Sequence, residues 1–284
     1  MANHEKTAEI SRSAGKLSGV ALDDLVDVAH RMADAGGRAA RSYFRTRTLS
    51  AENKAADGFD PVTVADRASE AEIRAVATVL RPEDGILGEE DAPRSGQSGL
   101  TWIIDPIDGT RAFISGLPTW GVLIALDDGA QGRIGVVDHP ALGERFLGVI
   151  GDTASRAEMT TAGGQRHKLA VRACSGLGAA TLFTTDPGLF GGADQAAFSK
   201  VQAAVRLTRY GVDCYAYALL AMGQIDLVIE AGLQAYDIAA PAVLVRAAGG
   251  IVTDWQGGDP RWGGKIVAAG DPRVHSEALA LLGS

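Results

Sequence analysis

The chain has little cysteine and little positive charge. Cys174 and Cys214 are its only two cysteines, with no Cys-x-x-Cys pair and no adjacent histidine. That argues against a disulfide framework and a thiolate zinc site, and leaves both as buried small hydrophobes. No run approaches the roughly 18 apolar residues of a membrane span, and the opening "MANHEKTAEISRSAGKLSG" is too polar for a secretion signal, so a cytoplasmic location is expected. Acidic residues number 35 against 27 basic, a net charge of -8. This disfavours nucleic acid and membrane surfaces as partners, because both need basic patches. Phosphate can still bind to such a chain if metal ions supply the positive charge.

What is present suits a large core. The 284 residues are 46% hydrophobic and 22% charged, within the range of one large domain or two modest ones. Residues 1–17 read as a loose tail. Leu22, Leu25, Val26, Ala29, Met32, Ala33 and Gly36 then follow the i, i+3, i+4, i+7 spacing of an amphipathic helix, and Ile73, Val76, Ala77 and Leu80 repeat it. After residue 100 come short β-type runs separated by Gly, Asp and Pro: "TWIID", "WGVLIAL", "RIGVVDH", "RFLGVI", "ATLFTT", "DLVIE" and "KIVAA". Helices are expected again near 213–223 and 238–248, and surface loops at the Gly-rich stretches 186–193 and 256–264. No internal repeat or heptad pattern is present.

The chemistry sits in four acidic segments. In "WIIDPIDGTRAF", Pro106 biases Asp105 to an extended conformation, and Gly109 and Thr110 suit a turn into a helix start. Asp105 and Asp108 then lie side by side, either as turn and helix caps or as ligands of a hard cation such as Mg²⁺, since two like charges this close repel without one. Glu89 and Glu90 follow an apolar run in "GILGEED", which alone reads as a solvated turn. Asp237 in "AYDIAAPAVLVRAAGG" reads as the N-cap of a helix that carries Pro241 in its first turn and ends at Gly249 and Gly250. In "NKAADGFDPVTVADRASE", Lys54 and Asp66 flank Asp-Pro-Val-Thr.

Together these segments, in this order from about residue 20 to the end, resemble the inositol monophosphatase-like superfamily of Mg²⁺-dependent phosphomonoesterases. Within it, "DPIDGTRAFISGLPTWGVLIAL" and "RYGVDCYAYALLAMGQIDLVIEAGLQAYDIAA" are most similar to histidinol-phosphate phosphatases. The resemblance implies an α+β fold of the sugar-phosphatase type, layered α-β-α-β-α with mixed sheets. Residues 18–284 would form one phosphatase domain with lobes of about 18–150 and 151–284, and the metal site would lie between them. It also implies a homodimer.

The residue roles it implies are specific. Glu89, Asp105 and the Ile107 carbonyl would bind one Mg²⁺, and Asp105, Asp108 and Asp237 a second. A third would be held partly by Glu89, near Asp66. Mg²⁺ prefers octahedral oxygen ligands, and paired ions suit in-line phosphoryl transfer. Thr110, oriented by Asp66 with Glu89 nearby, would position and deprotonate the attacking water, and the Gly109 and Thr110 amides would face the phosphate. Asp213, Glu230 and Arg111 would contact the substrate, although Asp213 also reads as a helix N-cap and Arg111 as a solvated helix-face residue. Lys54 matches a lysine near the metals, and as readily a surface lysine. Tyr236 stands where many relatives have Trp, and Ala112 where they have Asn; neither change removes a ligand.

The implied reaction is hydrolysis of a small phosphate ester: histidinol phosphate first, with inositol monophosphate as the alternative. Two other classes differ in kind. A regulatory binding protein on the same fold would not need every metal ligand, yet all are present. A nucleotide-binding module would need a G-x-G-x-x-G or Walker pattern, which "AAGGIVTDW" lacks.

Overall fold

The computed structural model describes residues 22–46, 51–53 and 61–283. Lys54 and the stretch 1–17 lie outside the described residues. Two helices open the chain, α1 (Leu22–Tyr43) and α2 (Val64–Leu80), with the short antiparallel pair β1 (Ala51–Asn53) and β2 (Pro61–Thr63) between them. Most of both expected amphipathic stripes is buried, Leu25, Val26, Ala29, Met32, Ala33 and Gly36 of α1 and Ile73 and Ala77 of α2, while Leu22 and Val76 are half-buried and Leu80, at the end of α2, is exposed. The helices meet closely at Gly36, where a Cβ would stand 2.6 Å from the Ile73 side chain.

A seven-stranded sheet follows, made of β3 (Gly85–Gly88), β4 (Thr101–Asp108), β5 (Gly121–Asp127), β6 (Gly132–His139), β7 (Glu144–Ile150), β8 (Ser155–Thr161) and β9 (Arg166–Lys168) in sequential order. Only β3 and β4 pair in parallel; the rest is an antiparallel meander. The lobe boundary expected near residue 150 falls between β7 and β8, inside this sheet. Between β4 and β5 lies the short helix α3 (Thr110–Ile114).

A second sheet has the order β11-β10-β12-β14-β13, from β10 (Thr181–Thr184), β11 (Leu207–Tyr210), β12 (Leu227–Gln234), β13 (Ile251–Asp254) and β14 (Gly263–Ala269). Helices α4 (Gly192–Ala204), α5 (Tyr215–Ala221), α6 (Ala235–Ala247) and α7 (Pro272–Leu282) complete the chain. Among the described residues no helix is long and apolar enough to cross a membrane.

The buried clusters trace five layers. Side chains of α1 and α2 pack on one face of the first sheet, and α5 and α6 pack on its other face. The far sides of α5 and α6 pack on the second sheet, whose outer face is covered by α4 and α7. This is the expected α-β-α-β-α order. Each sheet is covered on both faces, so the central strands read as near-continuous apolar runs.

Three local readings change. Helix α6 begins three residues earlier than expected: Gln234 and not Asp237 is the N-cap, Asp237 stands third in the helix, and Pro241 lies in the interior. Asp237 is therefore not the N-cap, and Pro241 offers its carbonyl no N–H partner four residues on. Asp108 is not a helix cap either, because Gly109, at φ 80°, is the N-cap of α3. Asp213 precedes the N-cap of α5, which is Cys214. In each case the helix boundary shifted by one to three residues, the usual uncertainty of an end read from sequence.

Helix α6 approaches the first sheet over glycine. Gly135 and Gly148 are cross-strand partners on β6 and β7, and both face the backbone of α6 around Ala240 and Leu244. A Cβ at Gly148 would lie 2.5 Å from the Leu244 Cα. Gly148→Val should push α6 off the sheet and cost about 1–3 kcal/mol, the usual range for overpacking. Chemical denaturation would show this as a lower unfolding midpoint, and an unchanged midpoint would mean that the glycine contact is slack.

Candidate metal centre

The bend that brings Asp105 and Asp108 together is in the strand itself. Asp105 pairs with Leu123 and Asp108 with Gly121, so β4 carries one residue more than β5 between the two pairs. This is a β-bulge, and Pro106, which has no N–H for a ladder, sits inside it. Without the extra residue, positions 105 and 108 would face opposite sides of the sheet. The bulge is held from within by Ile107 N–H donating to Asp105 Oδ1 at 3.0 Å, and from α2 by Ser69 Oγ donating to the Pro106 carbonyl at 3.1 Å.

Asp237 arrives from the other half of the chain, and ligand oxygens of Asp105, Asp108 and Asp237 all lie within 4.8 Å of one another. The third position in α6 fixes its side chain, since Gln234 N–H donates to Asp237 Oδ2 at 2.6 Å in a capping box. Glu89, just past β3, adds its charge to Asp105 and Asp237. Its turn is built by Glu70, fully buried on α2, which accepts from Glu90 N at 2.8 Å and Asp91 N at 3.1 Å and pairs with Arg74 at 2.7 Å.

Asp66 and Thr110 come together as well. Thr63 and Asp66 form a capping box at the start of α2, with Thr63 N–H and Oγ1 both donating to Asp66 Oδ2, at 2.8 and 2.6 Å. The other oxygen, Oδ1, accepts from Thr110 Oγ1 at 3.3 Å, and the same hydroxyl lies 3.1 Å from the Ile107 carbonyl. Thr110 is the first residue of α3, and the first N–H groups of a helix have no intrahelical acceptor.

The electrostatics show what the cluster lacks. Burial first, then Glu89, Asp108, Asp237 and Asp66, push the Asp105 carboxyl well above the ordinary range. Burial raises Asp108, and burial followed by the charge of Asp108 lifts Asp237 to about 8. Among the described residues, no lysine or arginine forms an ion pair with any of the three. The donors are all oxygen, and their repulsion is relieved by a divalent hard cation. These residues fit Mg²⁺.

A model of the inositol monophosphatase family matches residues 21–282. The chain belongs to the inositol monophosphatase family. Its members are metal-dependent phosphatases acting on small phosphate esters. The bifunctional phosphatase IMPL2, chloroplastic, of Arabidopsis thaliana is 38% identical over 99% of this chain and 82% of its own length. A histidinol-phosphatase of Mycobacterium tuberculosis is 35% identical, covering 92% of this chain and 98% of the relative. Among solved structures, an inositol monophosphatase from Zymomonas mobilis superposes with a TM-score of 0.78 at 37% identity, covering 93% of this chain and all of that one.

Around this centre of the family fold stand the residues expected at the substrate. Asp213 is pressed against Gly109, where a Cβ would lie 2.9 Å from its Cγ; burial and the charge of Asp108 raise its carboxyl to about 7. Glu230, at the end of β12's regular stretch, is 2% exposed and raised to about 8, mainly by burial. It accepts from Thr185 N at 2.8 Å and Thr185 Oγ1 at 2.9 Å. Arg111 is 60% exposed, with its guanidinium 4.0 Å from Asp186 and close enough to act on Asp213.

Sequence reasoning missed Glu70, Thr63, Thr185 and the part played by Cys214. Thr63 was open to it, because Thr-x-x-Asp before an apolar helix is a capping signal. The others act across the fold. Cys214 is buried as expected, but its N–H also donates to Asp108 Oδ2 at 2.8 Å.

The raised carboxyls set a pH dependence. A group that titrates near 3.8 when unfolded and near 8 when folded, as for Asp237, contributes stability at low pH that is lost as pH rises through the folded value. In chelator, the melting temperature should therefore fall between about pH 5 and pH 8. Millimolar Mg²⁺ should restore it, most strongly at the alkaline end. A melting temperature that stays level across this range in chelator would refute the repulsive cluster.

Proposed function

We propose that the chain hydrolyses histidinol phosphate, holding Mg²⁺ with Glu89, Asp105, Asp108, Asp237 and the Ile107 carbonyl. The observation that carries the substrate choice is the pair of acids beyond the cation cluster. Glu230 is buried and Asp213 half-buried, both carboxyls are raised, and Asp213 lies against Gly109 in the turn that would face phosphate. Histidinol phosphate carries a phosphate dianion at one end and an ammonium with an imidazole at the other. A substrate cation would draw both carboxyls back to the charged form, which hydroxyls alone would not. The name of the mycobacterial relative, a histidinol-phosphatase, supports the same choice.

The bound metal would neutralise phosphoryl charge and favour ionisation of water. The chain's own groups do the rest. The Gly109 and Thr110 amides turn toward the phosphate at the start of α3. Thr110 donates its hydroxyl hydrogen toward Asp66 or the Ile107 carbonyl, so an oxygen lone pair is left to orient an attacking water. That water's oxygen bonds to phosphorus as the ester P–O bond breaks, and the proton the water gives up is delivered to the departing alkoxide. Thr110→Ala should therefore lower kcat by about 10²-fold and leave Mg²⁺-dependent melting close to wild type. An unchanged kcat would make Thr110 a helix-start residue only.

A second reading is supported by the likeness to the Zymomonas inositol monophosphatase. Steady-state rates on histidinol phosphate, inositol monophosphate and an uncharged aryl phosphate decide between the two. The proposal expects histidinol phosphate to give the highest kcat/KM, and Asp213→Asn to raise its KM by about tenfold or more, the scale of one charge-assisted hydrogen bond, with little effect on the aryl ester. Preference for inositol monophosphate would overturn the substrate. No turnover of any ester with Mg²⁺ would favour a binding protein that keeps the fold.

A further inference from the structure

The loop that carries Glu89 leaves β3 at Gly88 and comes back beside it at Arg94, whose N–H and carbonyl pair with those of Ile86, each at 2.8 Å. Backbone closes its base. Its far part is held from α2, where Asp66, Glu70 and Arg74 follow one another at intervals of four residues and so share a face of the helix. Asp66 meets Thr110, and the other two meet the loop.

Glu70 and Arg74 form one cradle. Glu70 Oε2 accepts from Glu90 N–H at 2.8 Å, while Oε1 accepts from Asp91 N–H at 3.1 Å and from Arg74 Nε at 2.7 Å. Arg74 Nη2 donates in turn to the Asp91 carbonyl at 3.0 Å, so the pair grips Asp91 at both its N–H and its C=O. Gly88 leaves the space: a Cβ there would overlap the Glu70 carboxylate and stand 2.8 Å from Arg74 Nη2. The Glu70 side chain is fully buried and that of Arg74 is 16% exposed. The planar guanidinium fork reaches the carboxylate and the carbonyl together, in a fixed geometry that an ammonium lacks.

We propose that Arg74 is a positioning residue of the metal centre, setting Glu89 toward its cation through Glu70 and the peptide groups of the loop. This rests on the reading of Glu89 as a metal ligand. The charge of Arg74 by itself works against Mg²⁺, since a fixed cation near an acidic site repels a second one. Its pairing with Glu70 leaves that repulsion small. The positioning effect has the opposite sign and is larger, because losing the outer contacts of a ligating carboxylate costs roughly 10- to 100-fold in metal affinity. Arg74 grips the loop and not Glu89 itself, so the lower end applies.

The test uses the full chain with Arg74→Met, which keeps the apolar stem, and reads the melting temperature as Mg²⁺ is added after chelator treatment, alongside the Mg²⁺ dependence of kcat. Arg74→Met should need about tenfold more Mg²⁺ than wild type for half of the thermal shift and for half-maximal kcat. Arg81→Met is the control, because it breaks a comparable pair, Arg81 with the fully buried Asp84 at 2.8 Å, at the other end of α2. It should melt lower in chelator and keep the wild-type Mg²⁺ requirement. An unchanged requirement for Arg74→Met would overturn the inference alone, as would a lowered one, which is what removing the charge gives by itself. Equal weakening in Arg81→Met would also overturn it and reduce Arg74 to general stability. Should Arg74→Met not fold, Arg74→Lys decides, since it keeps the charge and loses the fork: a raised Mg²⁺ requirement supports the inference, and a wild-type or lower one overturns it. If melting of the wild-type chain ignores Mg²⁺, the metal reading fails first and this inference with it.

Discussion

Three carboxylates within 4.8 Å of one another, drawn from a strand bulge and from a helix far along the chain, are the constraint on which this molecule turns. Left alone they repel, and burial makes the repulsion worse because little water screens it. The fold tolerates them because other groups were built to hold each one in place. A backbone N–H holds Asp105, an amide from across the layers holds Asp108, and a capping box holds Asp237. The geometry is prepared for a cation, and the cost of preparing it is borne by hydrogen bonds and by the packing of α6 on the glycines of β6 and β7.

That preparation ties the layers together. Asp66 and Glu70, both on α2, reach toward the centre in different ways: one takes the Thr110 hydroxyl, the other shapes the turn that carries Glu89. On the far side, β12 carries Glu230 and leads directly into the helix of Asp237. The centre therefore lies where the two covered sheets and the helical layer between them converge. Small shifts of α6 would move one ligand against the other two, which links core packing to function.

The substrate side has a different character. Asp213 is half-buried and Glu230 buried, both with raised carboxyls, while Arg111 is largely in solvent beside Asp186. An exposed pair of this kind contributes little by itself. On the proposed reading, discrimination between phosphate esters would fall instead to these two acids, where desolvation makes the presence or absence of a substrate cation matter.

The sequence by itself determined the alternation of amphipathic helices and apolar strands, because periodicity is local and each sheet face had to be covered. It also determined the family pattern of acidic motifs, since the bulge at Asp-Pro-x-Asp and the turn at Gly-Thr are properties of neighbouring residues. It placed the start of α6 too late and made Asp237 a cap, because Pro241 is an ambiguous local signal: it suits a first turn, and the packed interior of a helix can also accommodate it. The tertiary structure alone decided that Glu70 would support Glu89, that Thr185 would hold Glu230, and that a cysteine with no motif around it would meet Asp108. Those contacts join residues tens to over a hundred positions apart. Hydrogen bonds depend on distance and angle in space, and nothing in the spacing of such residues along the chain records that they will meet.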